Sequence, residues 1–435
     1  MGRAEPGAGR PSRSRVAAGA GRPSRGRVAA GAGRPSRGRV AAGAGRLLHG
    51  AAAGIGPAGA VAAASLLLPV ATELRLKRAA RPMTDRWRQV PVEPRDTVQL
   101  GISFRPLQAV ALGLDPQAAL QALVAYPFQL LRLGAYWNRL EPEPGAFAPG
   151  ELDRQLDAAE QAGKQVIVCV GPVKAFGYPE FFVPSHYLDQ PLREGALVTP
   201  DRRRRLLDAG TAFLTRVVER YRGRAAIVAW QVEHEAVDPL GMEHSWRLSE
   251  AFVRSEVDAV RAADPGRPVM MNGFLPTSTP VRLQQWWRTR DQGDSLSVAQ
   301  RLADIVGIDF YPRHALASAG PLALYLDGSR ARWQQQRRER LQSWAARAGR
   351  RLMIAEGQAE PWEAVTTPPS PAGRVMYSCR PEDLIGNYSQ CMRWIDRRSS
   401  VMDGYLFWGA EYWLLRERQG DPSYLRAFER VLEGA

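Results

Sequence analysis

Cysteine and histidine are scarce in this chain of 435 residues, which contains three cysteines and five histidines. No pair of cysteines has CxxC spacing, and His186, His244 and His314 lie in separate segments, so we expect no metal site. The sequence also lacks an HExxH motif, a Walker loop, a GxSxG elbow and a Gly-rich turn after the first predicted strand. These absences argue against metalloproteases, P-loop enzymes, α/β-hydrolases and dinucleotide-binding folds. We therefore expect no cofactor.

The three cysteines give little further information. Cys169 lies inside an apolar run, which predicts a small buried side chain. A disulfide between Cys379 and Cys391 remains open, because spacing alone does not distinguish it from two free thiols.

Positive charge is abundant but confined to one end of the chain. The net charge is +15, yet residues 1–95 carry 18 basic and four acidic residues, which leaves 41 basic and 40 acidic residues over 96–435. A nearly neutral main domain argues against a nucleic-acid groove, which needs clustered cations. An Arg-rich nucleic-acid or envelope-interaction protein is thus a hypothesis that depends on the tail alone.

The first 96 residues are predicted to precede the folded domain. Residues 1–46 repeat the motif GAGRPSRGRVAA with a period of 12, which predicts a disordered low-complexity tail. Residues 47–70 are uncharged and rich in Ala and Leu, which favours a signal peptide or a membrane anchor; a poorly structured Ala-rich leader is the alternative. Residues 71–96 are predicted to be a basic linker. On this basis we expect export or anchoring at the cell envelope rather than a cytoplasmic location.

From residue 97 to residue 435, short apolar runs alternate with amphipathic stretches, which predicts one (β/α)8 TIM barrel. A doubly wound sheet is the alternative fold. The eight predicted strands are Val98–Phe104, Gln129–Tyr136, Gln165–Gly171, Ala226–Val232, Pro268–Phe274, Asp304–Phe310, Arg351–Glu356 and Asp403–Trp408. The predicted helices span 115–125, 151–162, 201–222, 245–263, 281–302, 329–348, 384–398 and 421–433.

Three segments resemble clan A glycoside hydrolases, which include cellulase-like family 5 and the β-galactosidase families 35 and 42. The segment LRLGAYWNRLEPEPGAF, residues 131–147, resembles the second-strand region of that clan. WQVEHE at 230–235 resembles its fourth-strand motif, and LMIAE at 352–356 resembles its seventh strand. The resemblance implies a TIM barrel that hydrolyses β-linked glycans with retention, with carbohydrate as its partner.

The resemblance also implies the two catalytic roles. Glu235 corresponds to the acid/base and Glu356 to the nucleophile, and a retaining mechanism needs two such carboxyl groups on opposite sides of the scissile bond. Either one taken alone is equally compatible with a solvated carboxylate at the barrel rim. His234 departs from the clan, which has Asn at this position. The imidazole is expected to donate to the sugar 2-hydroxyl or to couple with Glu235, and it leaves open a catalytically degenerate barrel that only binds carbohydrate.

Supporting residues are predicted on the same strand ends. Arg132 matches the arginine that keeps the clan's nucleophile ionised, with an ion pair elsewhere in the barrel as the alternative. Tyr311, after the sixth predicted strand, is predicted to donate a hydrogen bond to Glu356, with a packed aromatic side chain at the rim as the alternative. Glu360 is interpreted as a loop residue at the rim or a substrate contact. Glu233, two residues before Glu235, is interpreted as a buried structural carboxylate.

Aromatic side chains on the predicted rim suit a glycan cleft, because sugars present C–H faces to aromatic rings. Trp408 is predicted to form the floor of the cleft. The other rim aromatics are Trp137, Phe176, Tyr178, Trp362, Tyr412 and Trp413, and packing of loops is the alternative role for each. Tryptophans within predicted helices are expected to pack in the core or against the barrel; these are Trp286, Trp287, Trp333, Trp344 and Trp394. Sugar, linkage, endo or exo action and oligomeric state are not predicted.

Overall fold

The structure is a computed structural model. It describes residues 70–78, 85–177, 180–188, 192–193, 195–238, 246–319, 322–361, 378–394 and 401–434. The predicted tail and all of the predicted leader except Val70 lie outside these ranges. Within the described residues, no helix is both long and apolar enough to cross a bilayer.

Eight parallel strands close into a barrel, as the sequence predicts. In order around the barrel they are β12, β13, β2, β3, β4, β6, β8 and β9. Their bounds are β2 Gln99–Ser103, β3 Leu130–Gly134, β4 Gln165–Cys169, β6 Ile227–Gln231, β8 Val269–Leu275, β9 Ile305–Phe310, β12 Arg351–Gln358 and β13 Met402–Trp408. Each strand lies within two residues of its predicted bounds. The TIM-barrel prediction is therefore confirmed.

The helices follow the strands in alternation. They are α1 Pro106–Ala111, α2 Pro116–Val124, α3 Trp137–Leu140, α4 Gly150–Gln161, α5 Arg204–Tyr221, α6 Glu250–Ala263, α7 Thr279–Thr289, α8 Ser295–Leu302, α9 Arg332–Ala348, α10 Pro381–Met392, α11 Ala410–Arg418 and α12 Ser423–Gly434. The single helix predicted over 281–302 is wrong, because the chain turns at Gly293 with a φ of +88°. Asp294 then caps α8 by accepting a hydrogen bond from the Ser297 amide over 2.8 Å.

Strand alternation divides the apolar side chains into two layers. One set points into the barrel, where seven of the eight strands each contribute to a cluster of Leu130, Ile167, Ala229, Met270, Ile305, Met353, Ala355 and Leu406. The opposite faces of the strands pack against the helices in the main core. Both faces of the sheet are therefore covered, which explains why the strands read as continuous apolar runs.

A small antiparallel sheet lies beside the barrel. It joins β1 Leu74–Arg78, β11 Leu322–Asp327 and β10 Arg313–Ala319 in that order. Strand β1 falls within the range predicted as a linker, so part of 71–96 belongs to the folded protein. Two further strands, β5 Leu197–Val198 and β7 Arg247–Leu248, pair with each other in parallel.

The cysteines carry no cross-link. Cys169, Cys379 and Cys391 are all buried and free, so the structure contains no Cys379–Cys391 disulfide. Burial raises the pKa of the Cys169 thiol to about 12, in keeping with its role as an apolar side chain.

Candidate active site

Glu235 and Glu356 lie at the carboxyl ends of the fourth and seventh barrel strands. Glu356 belongs to β12 and is 2% exposed. Glu235 follows β6 by four residues and is partly exposed. In a TIM barrel this rim is where side chains from several strands converge. Here it brings the two predicted carboxyl groups close enough for the negative charge of Glu356 to raise the pKa of Glu235.

Three donors hold the Glu356 carboxylate. Arg132 Nη1 donates to Oε1 over 2.8 Å, and the Tyr311 hydroxyl donates to Oε2 over 2.7 Å. His234 Nε2 lies 2.8 Å from Oε1. Burial alone raises the pKa of Glu356, but His234, Arg132 and Tyr311 outweigh it and lower that pKa to about 2. Glu356 is therefore ionised throughout the neutral range.

Arg132 is fully buried on β3 and makes the contact with Glu356 that the sequence predicts. Its Nε donates to Gln231 Oε1 over 2.7 Å, and its guanidinium lies 4.1 Å from the centroid of the Phe176 ring. Gln231 Nε2 donates in turn to Asn272 Oδ1 over 2.9 Å. Sequence reasoning missed Gln231 and Asn272, because an amide in an apolar strand does not reveal its partner.

Glu235 sits on a strained stretch of backbone. Its φ is +44° and that of Glu233 is +56°, a left-handed conformation that is costly for residues other than glycine. Lys174 holds this turn, because its Nζ donates to the carbonyl oxygens of Glu235 over 2.7 Å and Asp238 over 3.1 Å. Burial in the cleft and the negative charges of Asp238 and Glu356 raise the pKa of Glu235 well above its usual range. Glu235 is thus a protonated acid where Glu356 is an anion.

His234 is directed at Glu356 rather than Glu235. Burial lowers the pKa of His234 below its usual range, so the imidazole is neutral and its Nε2–H donates to the ionised Glu356. Its Nδ1 has no hydrogen-bond partner among the described residues. The hydrogen bond of His234 goes to Glu356, and its coupling with Glu235 stays a prediction.

A third carboxyl group, Asp309 on β9, completes the cluster. It is fully buried and accepts a hydrogen bond from Asn272 Nδ2 over 2.6 Å. His234, Glu235 and Asp309 offer ligand atoms within 4.8 Å of one another, and they form the one group within the described ranges with a geometry that could hold a metal ion. Burial and the negative charge of Glu356, together with that of Glu235 once it ionises, raise the pKa of Asp309 well above its usual range.

The predictions for Glu360 and Trp408 require correction. Glu360 is buried and accepts two hydrogen bonds from Arg105, at 2.7 and 2.9 Å, so it is not an open loop residue. Arg105 also pairs with Glu411 over 2.6 Å, and its guanidinium lies 4.4 Å from the centroid of the Trp408 ring. Trp408 is only 9% exposed, so one face of the predicted sugar floor is already covered by Arg105.

The prediction that Trp137 lines the cleft is wrong. Trp137 is fully buried, where it stacks between Tyr187 and Phe213 at centroid distances of 4.9 and 5.4 Å. Its Nε1 donates to Glu141, which is itself buried. Packing of a loop onto the barrel, the alternative role, is therefore the one that Trp137 performs.

The other aromatic side chains named in the sequence analysis differ in their exposure. Phe176, Tyr412 and Trp413 are buried, whereas Tyr178 and Trp362 lie outside the described residues. Among the helical tryptophans, Trp344 and Trp394 pack against the core as expected. Trp286 and Trp287 on α7 do not pack in the core, because they are 62% and 63% exposed.

A cavity also opens at the opposite end of the barrel. It is lined by residues at the start of several strands, including Gln99, Gln165 and Arg351. The ionisable cluster lies at the carboxyl ends of the strands, so this cavity is separate from the candidate active site.

Comparison with known proteins yields structural matches only. No family model and no curated protein matches the chain. It is similar to a GH5_18 protein from Streptomyces cattleya in complex with GlcNAc, at 15% identity and a TM-score of 0.47, over 73% of this chain and 70% of that one. It is also similar to xylanase 10B from Thermotoga maritima, at 14% identity and a TM-score of 0.47, over 79% and 98% of the two chains.

A third similar structure is the intracellular xylanase TsXylA of Thermoanaerobacterium saccharolyticum in complex with xylotriose. The identity is 15% and the TM-score 0.45, over 74% of this chain and 89% of that one.

Proposed function

We propose that the protein is a retaining β-glycosidase in which Glu235 is the acid/base and Glu356 the nucleophile. The observation that carries the proposal is the contrast between the surroundings of two neighbouring carboxyl groups. Glu356 accepts hydrogen bonds from Arg132, Tyr311 and His234, which lower its pKa to about 2, whereas burial and nearby negative charge raise the pKa of Glu235. Environments that drive two pKa values apart identify the acid and the base of such a pair. The substrate class is a β-linked oligo- or polysaccharide.

The reaction proceeds in two displacements. Glu235 donates its proton to the glycosidic oxygen while a carboxylate oxygen of Glu356 attacks the anomeric carbon, which breaks the glycosidic bond and forms a glycosyl ester. Glu235, now ionised, takes a proton from water as the water oxygen attacks the same carbon. The ester bond breaks, Glu356 recovers its charge, and the configuration at the anomeric carbon is retained.

The surrounding residues have distinct roles in this mechanism. Arg132 and Tyr311 orient the Glu356 carboxylate and keep it ionised between substrate turnovers. Lys174 fixes the turn that aims Glu235, since both of its carbonyl contacts lie on that turn. No metal or cofactor is needed for either displacement.

A second candidate function is carbohydrate binding without hydrolysis. It is favoured by one feature of the site, namely that Oε1 of Glu356 accepts from both Arg132 and His234 while Oε2 accepts from Tyr311. A carboxylate whose two oxygens are both engaged is a weaker nucleophile. His234, which stands where clan A has Asn, supplies the additional donor.

The test is product release by the full chain from β-glucans, mannans, xylans, galactans and aryl β-glycosides. Wild-type hydrolysis that Glu356→Ala abolishes supports the nucleophile assignment. Glu235→Ala should lose activity on polysaccharides yet still release an activated phenol, because a good leaving group needs no proton. The matched control is Glu143→Ala, which removes an exposed carboxylate from a rim loop and should leave the rate unchanged.

Two results would contradict the proposal. Hydrolysis that survives Glu356→Ala would exclude Glu356 as the nucleophile. No hydrolysis of any substrate, combined with binding of one glycan, would establish the binding function instead.

A further inference from the structure

Helix α7 presents an apolar stripe to solvent. Leu283, Trp286 and Trp287 are 44%, 62% and 63% exposed, and their spacing of i, i+3 and i+4 places them along one side of the helix. The opposite side is anchored, because Gln285 and Thr289 are buried. Gln285 Nε2 also donates to Asp238 Oδ1 over 3.2 Å, which connects the helix to the turn after β6. The orientation of the stripe is therefore fixed by packing.

The same helix is basic. Arg282, Arg288 and the following Arg290 are exposed, and Thr279–Thr289 contains no acidic residue. The acidic residues that follow are engaged, since Asp291 pairs with Arg247 and Asp294 pairs with Arg337. A stripe of Trp and Leu flanked by arginines is the pattern of helices that lie in the plane of an anionic membrane surface.

Strand β1 begins beside the first residue of α7. Glu73 is buried immediately before β1 and caps α7, where its Oε2 accepts from the Thr279 amide over 2.8 Å and its Oε1 from the Thr279 hydroxyl over 2.7 Å. Leu76 on β1 and Leu322 on its neighbour β11 are 65% and 41% exposed. Six of the seven large hydrophobic side chains exposed among the described residues thus belong to α7, β1 or β11.

The sequence that precedes this surface is itself apolar. The uncharged, Ala- and Leu-rich stretch of residues 47–70 ends three residues before Glu73. Because Glu73 is fixed to the first residue of α7, the chain leaves the apolar stretch next to the exposed stripe. The segment whose composition suits a membrane is therefore joined through residues 70–73 to the first residue of the helix that carries the stripe.

We propose that α7 and β1 form a docking surface for an anionic lipid bilayer. Trp286 and Trp287 insert at the level of the headgroups, and the flanking arginines contact lipid phosphates. A bound glycan fits less well, because the two indole rings are inclined by 56° and the Arg290 guanidinium lies 3.9 Å from the centroid of the Trp287 ring. Sugar stacking requires an open, flat ring face.

The test measures partition of the full chain into vesicles of phosphatidylcholine with and without phosphatidylglycerol. Replacing both tryptophans, in Trp286→Ser/Trp287→Ser, should lower the partition coefficient at least about tenfold, because it removes the two largest apolar side chains of the stripe. Val110→Ser, which alters the exposed apolar residue on α1, is the matched control and should partition as wild type. The apolar segment of residues 47–70 is the same in all three proteins, so a difference in their partition coefficients measures the contribution of α7.

A second variant tests the charge. Arg282→Gln/Arg290→Gln should lose most of the preference for phosphatidylglycerol while circular dichroism and thermal melting stay unchanged. Equal partition of the tryptophan variant and wild type would overturn the proposal. Two other results would also overturn the proposal. One is a dimer that light scattering detects for wild type but not for the tryptophan variant. The other is an oligosaccharide that binds wild type but not this variant, when neither protein binds vesicles.

Discussion

His234 Nε2 and Arg132 Nη1 both lie 2.8 Å from the same oxygen of Glu356. The residue that departs from the clan A motif therefore acts on the proposed nucleophile. A neutral imidazole supplies a hydrogen bond without adding a second buried cation next to Arg132. His234 thus contributes to the ionisation of Glu356 and competes for the electron pair that must attack the sugar.

His234→Ala should move the acid limb of the kcat/KM profile to higher pH. Loss of the donor raises the pKa of Glu356 from about 2. A hydrogen bond to a charged group contributes about 1.5–3 kcal/mol, which corresponds to a shift of about one to two pH units. His234→Asn retains a donor and should shift the limb less. The measurement is hydrolysis of a soluble substrate across pH, and identical limbs in wild type and the Ala variant would contradict the assignment.

The alkaline limb of the kcat/KM profile should depend on the charge of Asp238. Burial raises the pKa of Asp238 to about 7, so it becomes an anion on the alkaline side and there adds to the repulsion that raises the pKa of Glu235. Asp238→Asn removes that charge, which lowers the pKa of Glu235 and moves the alkaline limb to lower pH. The control is Asp201→Asn, an exposed carboxylate, which should leave the limb in place. A limb that moves to higher pH would show that Asp238 acts otherwise.

Much of the fold and part of the site could be predicted, because both depend on local patterns. Apolar runs predicted the eight strands. The resemblance to clan A glycoside hydrolases implied the contact of Arg132 with Glu356, and the position of Tyr311 after the sixth strand predicted its hydrogen bond to Glu356. The ion pair of Arg105 with Glu360 could not be predicted, since 255 residues separate the partners and nothing local marks either one. The role of Trp137 was mispredicted for a related reason. Trp137 is buried in part by Tyr187, which lies on a loop whose sequence shows no regular apolar pattern.

Arg105→Met should destabilise the protein by about 3–5 kcal/mol, because it leaves two buried carboxylates without their cation. Glu360 and Glu411 are 1% and 0% exposed. The matched control is Arg204→Met, which removes a surface ion pair with Asp208 and should cost less than about 1 kcal/mol. Urea denaturation at neutral pH measures both. Similar losses in the two variants would show that Arg105 is not required to neutralise the pair.

The last prediction concerns Glu233 and Glu256, two buried acidic side chains. Burial and the neighbouring charge of Glu233 raise the pKa of Glu256 well above its usual range, and burial raises the pKa of Glu233 to about 7. The unfolded chain releases these protons near pH 4.3, so the stability they contribute is complete below about pH 4 and is lost as the pH rises through the raised values. Glu256→Gln removes one titrating group. The fall in unfolding free energy between about pH 5 and about pH 8 should therefore be smaller than in wild type by at least about 1.4 kcal/mol, the equivalent of one pKa unit. Denaturation at both pH values decides the matter, because an equal fall in the two proteins would mean that Glu256 does not hold its proton in the folded state.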